Sequence, residues 1–285
     1  MRIKVHTMNS FAVEKDGGNP AAVVFIEDHL SEGAMQSAAR KIGFSETAFV
    51  LKSEKADFKV RFFTPLAEVN LCGHATIGIF SLMKHLGRIS SGTYMLETRG
   101  SILEVQVQGD EILLEMEPPR FYEKVSSEEV LDALNAASDV LIKEYSPQIV
   151  STGLKDLIVP IRSRSALDGI LPDMDKVVRL SEAYDMDGLH LFALDNEVTA
   201  YTRNFAPMLG IPEESATGTA SGALAAYLIH HGQEESRKDE MIFRQGYAMG
   251  RPSEIRVRVN MKDAALEKIL VGGSAMDFRS FILEI

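Results

Sequence analysis

The amino-acid sequence predicts an α+β fold of two related halves, each a β-barrel-like sheet wrapped around one central helix. Three observations carry that prediction. Arg61, Phe63 and Pro65 recur 142 residues later as Arg203, Phe205 and Pro207, and Gly73, Ala75, His85 and Gly87 recur 145 residues later as Gly218, Ala220, His230 and Gly232. Self-similarity of this kind marks a repeated structural unit. Residues 69–83 and 215–233 contain no Asp, Glu, Lys or Arg, and a helix that is apolar or small on every side belongs inside a core. Ser, Thr, Gly and His interrupt both runs, so neither reads as a membrane span, which needs about 20 predominantly apolar residues. The segments around the two runs alternate or form short apolar stretches bounded by turns, the signature of strands.

Taken in order, residues 1–8 alternate as a strand, and Asp16-Gly17-Gly18-Asn19-Pro20 is strong turn chemistry before a strand over 21–26. Ser31 is placed to cap a helix that runs to about Lys41 and ends at Gly43. Strands follow over 47–51 and 58–63, then the first central helix from Gly73, with Gly87 as its left-handed C-terminal cap. Residues 93–98, 102–108 and 112–116 read as strands separated by turns at Arg99-Gly100 and Gly109-Asp110. Pro118-Pro119 marks the domain boundary, giving domains over 1–117 and 118–285.

In the second half, Ser126 and Glu129 form a capping box for a helix to about Ala137. Strands are expected over 148–151 and 157–161. Asp173, 142 residues after Ser31, is the next N-cap, and 189–194 echoes the strand at 47–51. The second central helix starts at Gly218 and stops at Gly232; residues 234–240 read as a charged turn, and 241–243, 254–259 and 268–271 as strands. The apolar 278–285 segment is suited to pair back onto the first domain.

Composition narrows the function. The chain has 285 residues, 30 Lys and Arg against 41 Asp and Glu, and a formal net charge of -11. With no basic block, it is not expected to bind nucleic acid or an anionic membrane. Cys72 is the single cysteine, so no internal disulfide and no Cys-based zinc site can be assembled. The N-terminus lacks a signal-peptide apolar core, which makes the cytoplasm the expected compartment. The seven His show no metal-ligand spacing, and Gly218-Thr219-Ala220-Ser221-Gly222 is a helix start, not a dinucleotide fingerprint. No metal or cofactor is expected.

Two buried helices that open on Gly offer two sets of first-turn N–H groups, together with the positive ends of two helix dipoles. A small carboxylate between Gly73-His74-Ala75 and Gly218-Thr219-Ala220 would be held from both sides; alternatively, local side chains cap these ends. Positions where the copies differ are the other guide. Glu46 matches Gly188, and a carboxylate opening an apolar strand reads either as an edge-strand charge or as an acid/base group made reactive by desolvation. His74 matches Thr219, and a helix dipole favours its neutral form. Glu213 and Glu214 precede the second central helix as dipole partners or caps, with Glu214 also able to face a cleft. His85 and His230 sit near helix C-termini in structural roles. Cys72 matches Thr217, so a two-thiol mechanism lacks its second thiol.

Four of these stretches resemble one family. Gly18-Asn19-Pro20-Ala21-Ala22-Val23, Phe44-Ser45-Glu46-Thr47-Ala48-Phe49, Leu71-Cys72-Gly73-His74-Ala75-Thr76 and Ala216-Thr217-Gly218-Thr219-Ala220 are similar, in order and over essentially the whole chain, to the PhzF-like isomerases of phenazine biosynthesis, within the diaminopimelate-epimerase fold. The resemblance implies a small carboxylate substrate in a cleft between two domains, a homodimer, no cofactor, and isomerisation by moving a ring proton. It also implies roles: Glu46 as base, with His74, Glu214 and Thr219 as further catalytic residues, and Gly73, Gly218, Ser45 and Asn19 in substrate binding. Two positions depart from the family: Glu214 stands where the phenazine enzyme has aspartate, and Thr219 where it has serine. A small-acid or protein-binding module on the same fold, and an amino-acid epimerase, are the alternative readings.

Overall fold

The computed structural model describes residues 1–27, 29–232, 240–262 and 265–285. The chain divides into two units, Met1–Glu115 with Gly272–Ile285, and Met116–Val271. The second unit thus stops at Val271, short of the expected 285, and the C-terminal segment belongs to the first unit, onto which 278–285 was expected to pair. The reason is strand pairing: Ala275–Glu284 runs antiparallel to Arg2–Ser10, from Arg2 opposite Glu284 to Ser10 opposite Ala275.

In the first unit, Arg2–Ser10 also pairs antiparallel with Asn19–Phe25, which lies parallel to Thr47–Leu51 through the crossover helix Glu32–Ile42. That helix forms where Ser31 accepts from the Ala34 N–H at 3.3 Å, and it stops at Gly43 with φ 73°. Thr47–Leu51 is antiparallel to Phe58–Phe63, which in turn is parallel to Gly92–Glu97; Ile102–Gln108 and Glu111–Glu115 complete the meander. The central helix Gly73–His85 connects the parallel pair and is buried from His74 to Met83. It packs on Arg2–Ser10, Asn19–Phe25, Thr47–Leu51, Glu111–Glu115 and Ala275–Glu284. Its small residues permit this: a Cβ on Gly78 would lie 2.9 Å from Ser10 Oγ and 3.0 Å from Met8 Sδ. At its end, Gly87 (φ 67°) closes a Schellman motif, with Arg88 N–H donating to the Met83 carbonyl and Gly87 N–H to that of Lys84.

The second unit follows the same order. Arg120–Lys124, Gln148–Ser151 and Lys155–Pro160 pair antiparallel in turn, and Lys155–Pro160 is parallel to Gly188–Leu194. The crossover carries the helices Arg164–Asp168 and Met174–Tyr184, the latter capped by Asp173 and stopped at Asp185 in the left-handed region. Asp185 is the residue 142 after Gly43. Ala200–Ala206 is parallel to Glu240–Gln245, with the central helix Gly218–His230 between them, buried from Gly218 to Leu228. The capping box at Ser126 forms, but its helix is shorter than expected, Ser127–Leu134, because Asn135 turns left-handed at φ 50°. Of the charged turn at 234–240, residues 234–239 lie outside the described residues.

The repeated Arg residues hold the Pro turns. Arg61 forms a fork of two 2.7 Å bonds to Glu68, and Arg203 a fork of 2.8 and 2.9 Å to Glu213 while also donating to the Leu167 and Ile170 carbonyls. Fork-shaped pairing with partial burial fixes geometry better than a point charge does.

One buried polar cluster belongs to the second unit alone. Asn204 donates to Asp156 Oδ1 at 3.2 Å and lies 3.3 Å from His190 Nδ1. Burial pushes the Asp156 carboxyl up to about 7, against the opposing Asn204 bond, and pushes His190 down to about 3. The folded state therefore keeps a proton on Asp156 that the unfolded chain has released, so this site costs stability progressively from about pH 4 to about pH 7. Asp156→Asn should raise the melting temperature by several degrees at pH 8 relative to wild type and leave it nearly unchanged at pH 4. A variant less stable than wild type at pH 8 would contradict this assignment.

Candidate active site

The candidate residues of the first unit assemble at one place because of strand direction. Asn19 and Glu46 sit at the N-terminal ends of two parallel neighbours, with Ala22 opposite Thr47. The central helix starts at Gly73 beside them. Its N-cap, Cys72, makes no side-chain capping bond. His74 is the centre of the group: Asn19 Nδ2 lies 3.2 Å and Cys72 Sγ 3.4 Å from Nδ1, while Glu46 Oε2 lies 3.3 Å and Ser45 Oγ 3.5 Å from Nε2. His74 is 4% exposed and Glu46 9%.

Burial lowers the His74 pKa below the ordinary imidazole value, opposed by the Glu46 charge and by a hydrogen bond to the Pro20 carbonyl. Burial prevails, and the ring is neutral at physiological pH, as expected for a helix start. Glu46 Oε2 is buried with no hydrogen-bond partner. Glu46, Cys72 and His74 also bring a carboxylate oxygen, a sulfur and an imidazole nitrogen within 4.8 Å of one another, a donor set of the type that zinc accepts.

Gly188, the position matching Glu46, has no room for a side chain. A Cβ there would lie 2.7 Å from the Phe205 carbonyl oxygen and 3.3 Å from Asp156 Oδ1. The difference between the two halves at this position is therefore steric as well as chemical.

In the second unit the strand Ile211–Glu214 leads into the central helix, whose N-cap Thr217 also makes no side-chain capping bond. Glu213 is occupied by Arg203. Glu214 is different: Thr217 Oγ1 donates to its Oε2 at 2.5 Å. Gly218 begins the helix, and the Thr219 carbonyl accepts from Thr152 Oγ1 at 2.9 Å. Sequence reasoning missed Gln245, which is 1% exposed and bonds to Thr217 and to the Glu214 carbonyl. A signal was present: in Glu240–Gln245 the inward register positions are Met241, Phe243 and Gln245, and an amide on an apolar face needs partners.

The His74 assignment has a direct check. Because the folded ring binds protons less well than the unfolded one, stability falls as pH drops below about 6.5. Nitrogen-15 NMR of the ring should show a neutral imidazole at pH 7 and a midpoint below 6.5; a ring half-protonated at pH 6.5 or above would contradict the description.

With this geometry in hand, comparison with known proteins gives a consistent result. The family model described as phenazine biosynthesis-like protein, PhzC-PhzF, matches residues 8–280. An uncharacterized isomerase of Clostridium acetobutylicum is 34% identical, covering 98% of this chain and 97% of the relative. The trans-2,3-dihydro-3-hydroxyanthranilate isomerase of Pseudomonas chlororaphis is 31% identical, with 95% of each chain covered. The crystal structure of the Bacillus anthracis phenazine biosynthesis protein of the PhzF family superposes with a TM-score of 0.91 at 30% identity, over 100% of both chains. The chain belongs to the phenazine biosynthesis-like PhzC-PhzF family of isomerases.

Proposed function

We propose that this isomerase moves a proton on a small cyclic carboxylic acid without a cofactor, and that Glu46 takes the proton and returns it. The observation that carries the reading is the buried Glu46 Oε2 facing the His74 imidazole at 3.3 Å. The ionised carboxylate removes a proton from a ring carbon, the electron pair of that C–H bond moves into the neighbouring π-system, and the same proton is delivered to another carbon. Substrate and product are isomers, so no redox partner is needed.

His74 steadies Glu46 and accepts or donates a hydrogen bond as the charge changes, while Asn19 and Ser45 fix the ring on its two nitrogens. The first-turn N–H groups at Gly73 favour binding of an anion such as the substrate carboxylate. By their match to the family, Glu214, Gly218 and Thr219 are assigned to the same reaction. The substrate class is taken from the Pseudomonas chlororaphis relative, named for trans-2,3-dihydro-3-hydroxyanthranilate. A cyclic amino acid with an acidic ring C–H next to a conjugated system fits the chemistry of a single carboxylate base.

One observation favours a second reading. Cys72 Sγ lies 3.4 Å from His74 Nδ1, the contact expected of a thiol activated for proton abstraction in an amino-acid epimerase. Thr217 occupies the matching N-cap position, and a threonine hydroxyl is a far weaker base.

Two variants separate these readings on a panel of cyclic amino and hydroxy acids that includes trans-2,3-dihydro-3-hydroxyanthranilate. Glu46→Gln should lower turnover by roughly 10²–10⁴-fold while the melting temperature holds, and Cys72→Ser should retain turnover. An active Glu46→Gln protein, or a Cys72→Ser protein that loses all activity while remaining folded, would overturn the Glu46 assignment.

A further inference from the structure

Gln245 lies at the end of the strand Glu240–Gln245, on its inward side, and its amide meets two backbone groups of fixed polarity. The Thr217 N–H can only donate, and it donates to Gln245 Oε1 at 3.1 Å; the Glu214 carbonyl can only accept, and it accepts from Gln245 Nε2 at 2.7 Å. The orientation of the amide is therefore determined by chemistry. Its Nε2 also lies 3.1 Å from Thr217 Oγ1 and donates to it. The hydroxyl has one proton, and with a donor already on its oxygen that proton is directed to Glu214 Oε2, at 2.5 Å. A hydroxyl that donates to a carboxylate favours its charged form.

We propose that Gln245 and Thr217 are positioning residues that hold Glu214 as an ionised acceptor in the resting enzyme. The inference rests on the proposed place of Glu214 in the reaction, and it gives that residue a charge state: Glu214 enters the cycle as a charged hydrogen-bond acceptor, while Glu46 carries the proton. The position matching Cys72 has become the hydroxyl end of a relay, and the strand following the central helix supplies its anchor. Gly246 keeps the anchor in register. At φ 80°, with a Cβ that would lie 2.2 Å from the Arg251 carbonyl oxygen and 2.7 Å from that of Ser215, it allows the chain to turn tightly against the loop that carries Glu214.

Other titratable groups lie on the strands around Glu214. Glu213 is committed to Arg203, and Asn204, opposite Glu214 in the strand register, links Asp156 and His190. Each has its own partner, so removal of the Thr217 hydroxyl should be read first at Glu214.

The test uses the full chain with carbon-13-labelled Glu carboxyl groups, assigned through Glu214→Gln, in wild type, Thr217→Val, Thr217→Ser and Gln245→Leu. Loss of a hydrogen bond to the charged form makes ionisation harder, so Thr217→Val and Gln245→Leu should titrate Glu214 at higher pH, and Thr217→Ser should restore the wild-type midpoint. With a turned-over substrate, the acid limb of the pH–rate profile should move to higher pH in the same two variants, with turnover at neutral pH down by roughly tenfold, the weight of one charge-assisted bond. An unchanged Glu214 midpoint in folded Thr217→Val overturns the inference. A shifted midpoint with unaltered catalysis in Glu214→Gln upholds the positioning device and removes Glu214 from the proposed reaction.

Discussion

A helix with no charged side chain along its buried turns has to be enclosed, and enclosure governs both units of this protein. The helices Gly73–His85 and Gly218–His230 are each buried for about three turns, and the strands of each unit pack on them. Close approach requires small residues along the helix, as the contact distances at Gly78 show. It also carries the first helical turn into the interior, where neither N-cap side chain closes it. A helix start of this kind favours negative charge and neutral imidazole. The same enclosure that stabilises the unit therefore prepares the electrostatics of the candidate site.

Differences between the units follow from what surrounds each helix start. In the first, a carboxylate, a thiol and an amide gather around His74. In the second, Gly188 leaves no space for a carboxylate at the matching strand, and the buried Asp156 beside it is occupied with Asn204. The acidic group there arrives instead from the segment ahead of the helix, as Glu214, bonded to the hydroxyl of Thr217. Similar frames thus carry an imidazole-centred cluster in one case and a hydroxyl–amide network in the other.

Much of this was legible in the sequence because it depends on local chemistry. Ser31 and Asp173 read as N-caps and are N-caps, and Gly87 and Gly232 read as helix ends and have left-handed φ of 67° and 70°. Glu46 and His74 could be named because they break the repeat, whereas Asn19 and Ser45 were named only through the family resemblance. What stayed hidden depends on long-range pairing. The apolar 278–285 segment pointed back to the first domain, but its strand partner, Arg2–Ser10, and their register are not specified by composition. The early stop at Asn135 turned on one left-handed residue. Gln245 lies 28 residues from Thr217 in sequence, and only the register of its strand shows that its amide faces inward.

The most direct test of Glu46 as the proton-transferring group is proton NMR in deuterated water with the proposed cyclic substrate, wild type and Glu46→Gln side by side. The account predicts deuterium at a ring carbon with wild type and none with the variant over the same time. Deuterium entering at the same rate in both would contradict it.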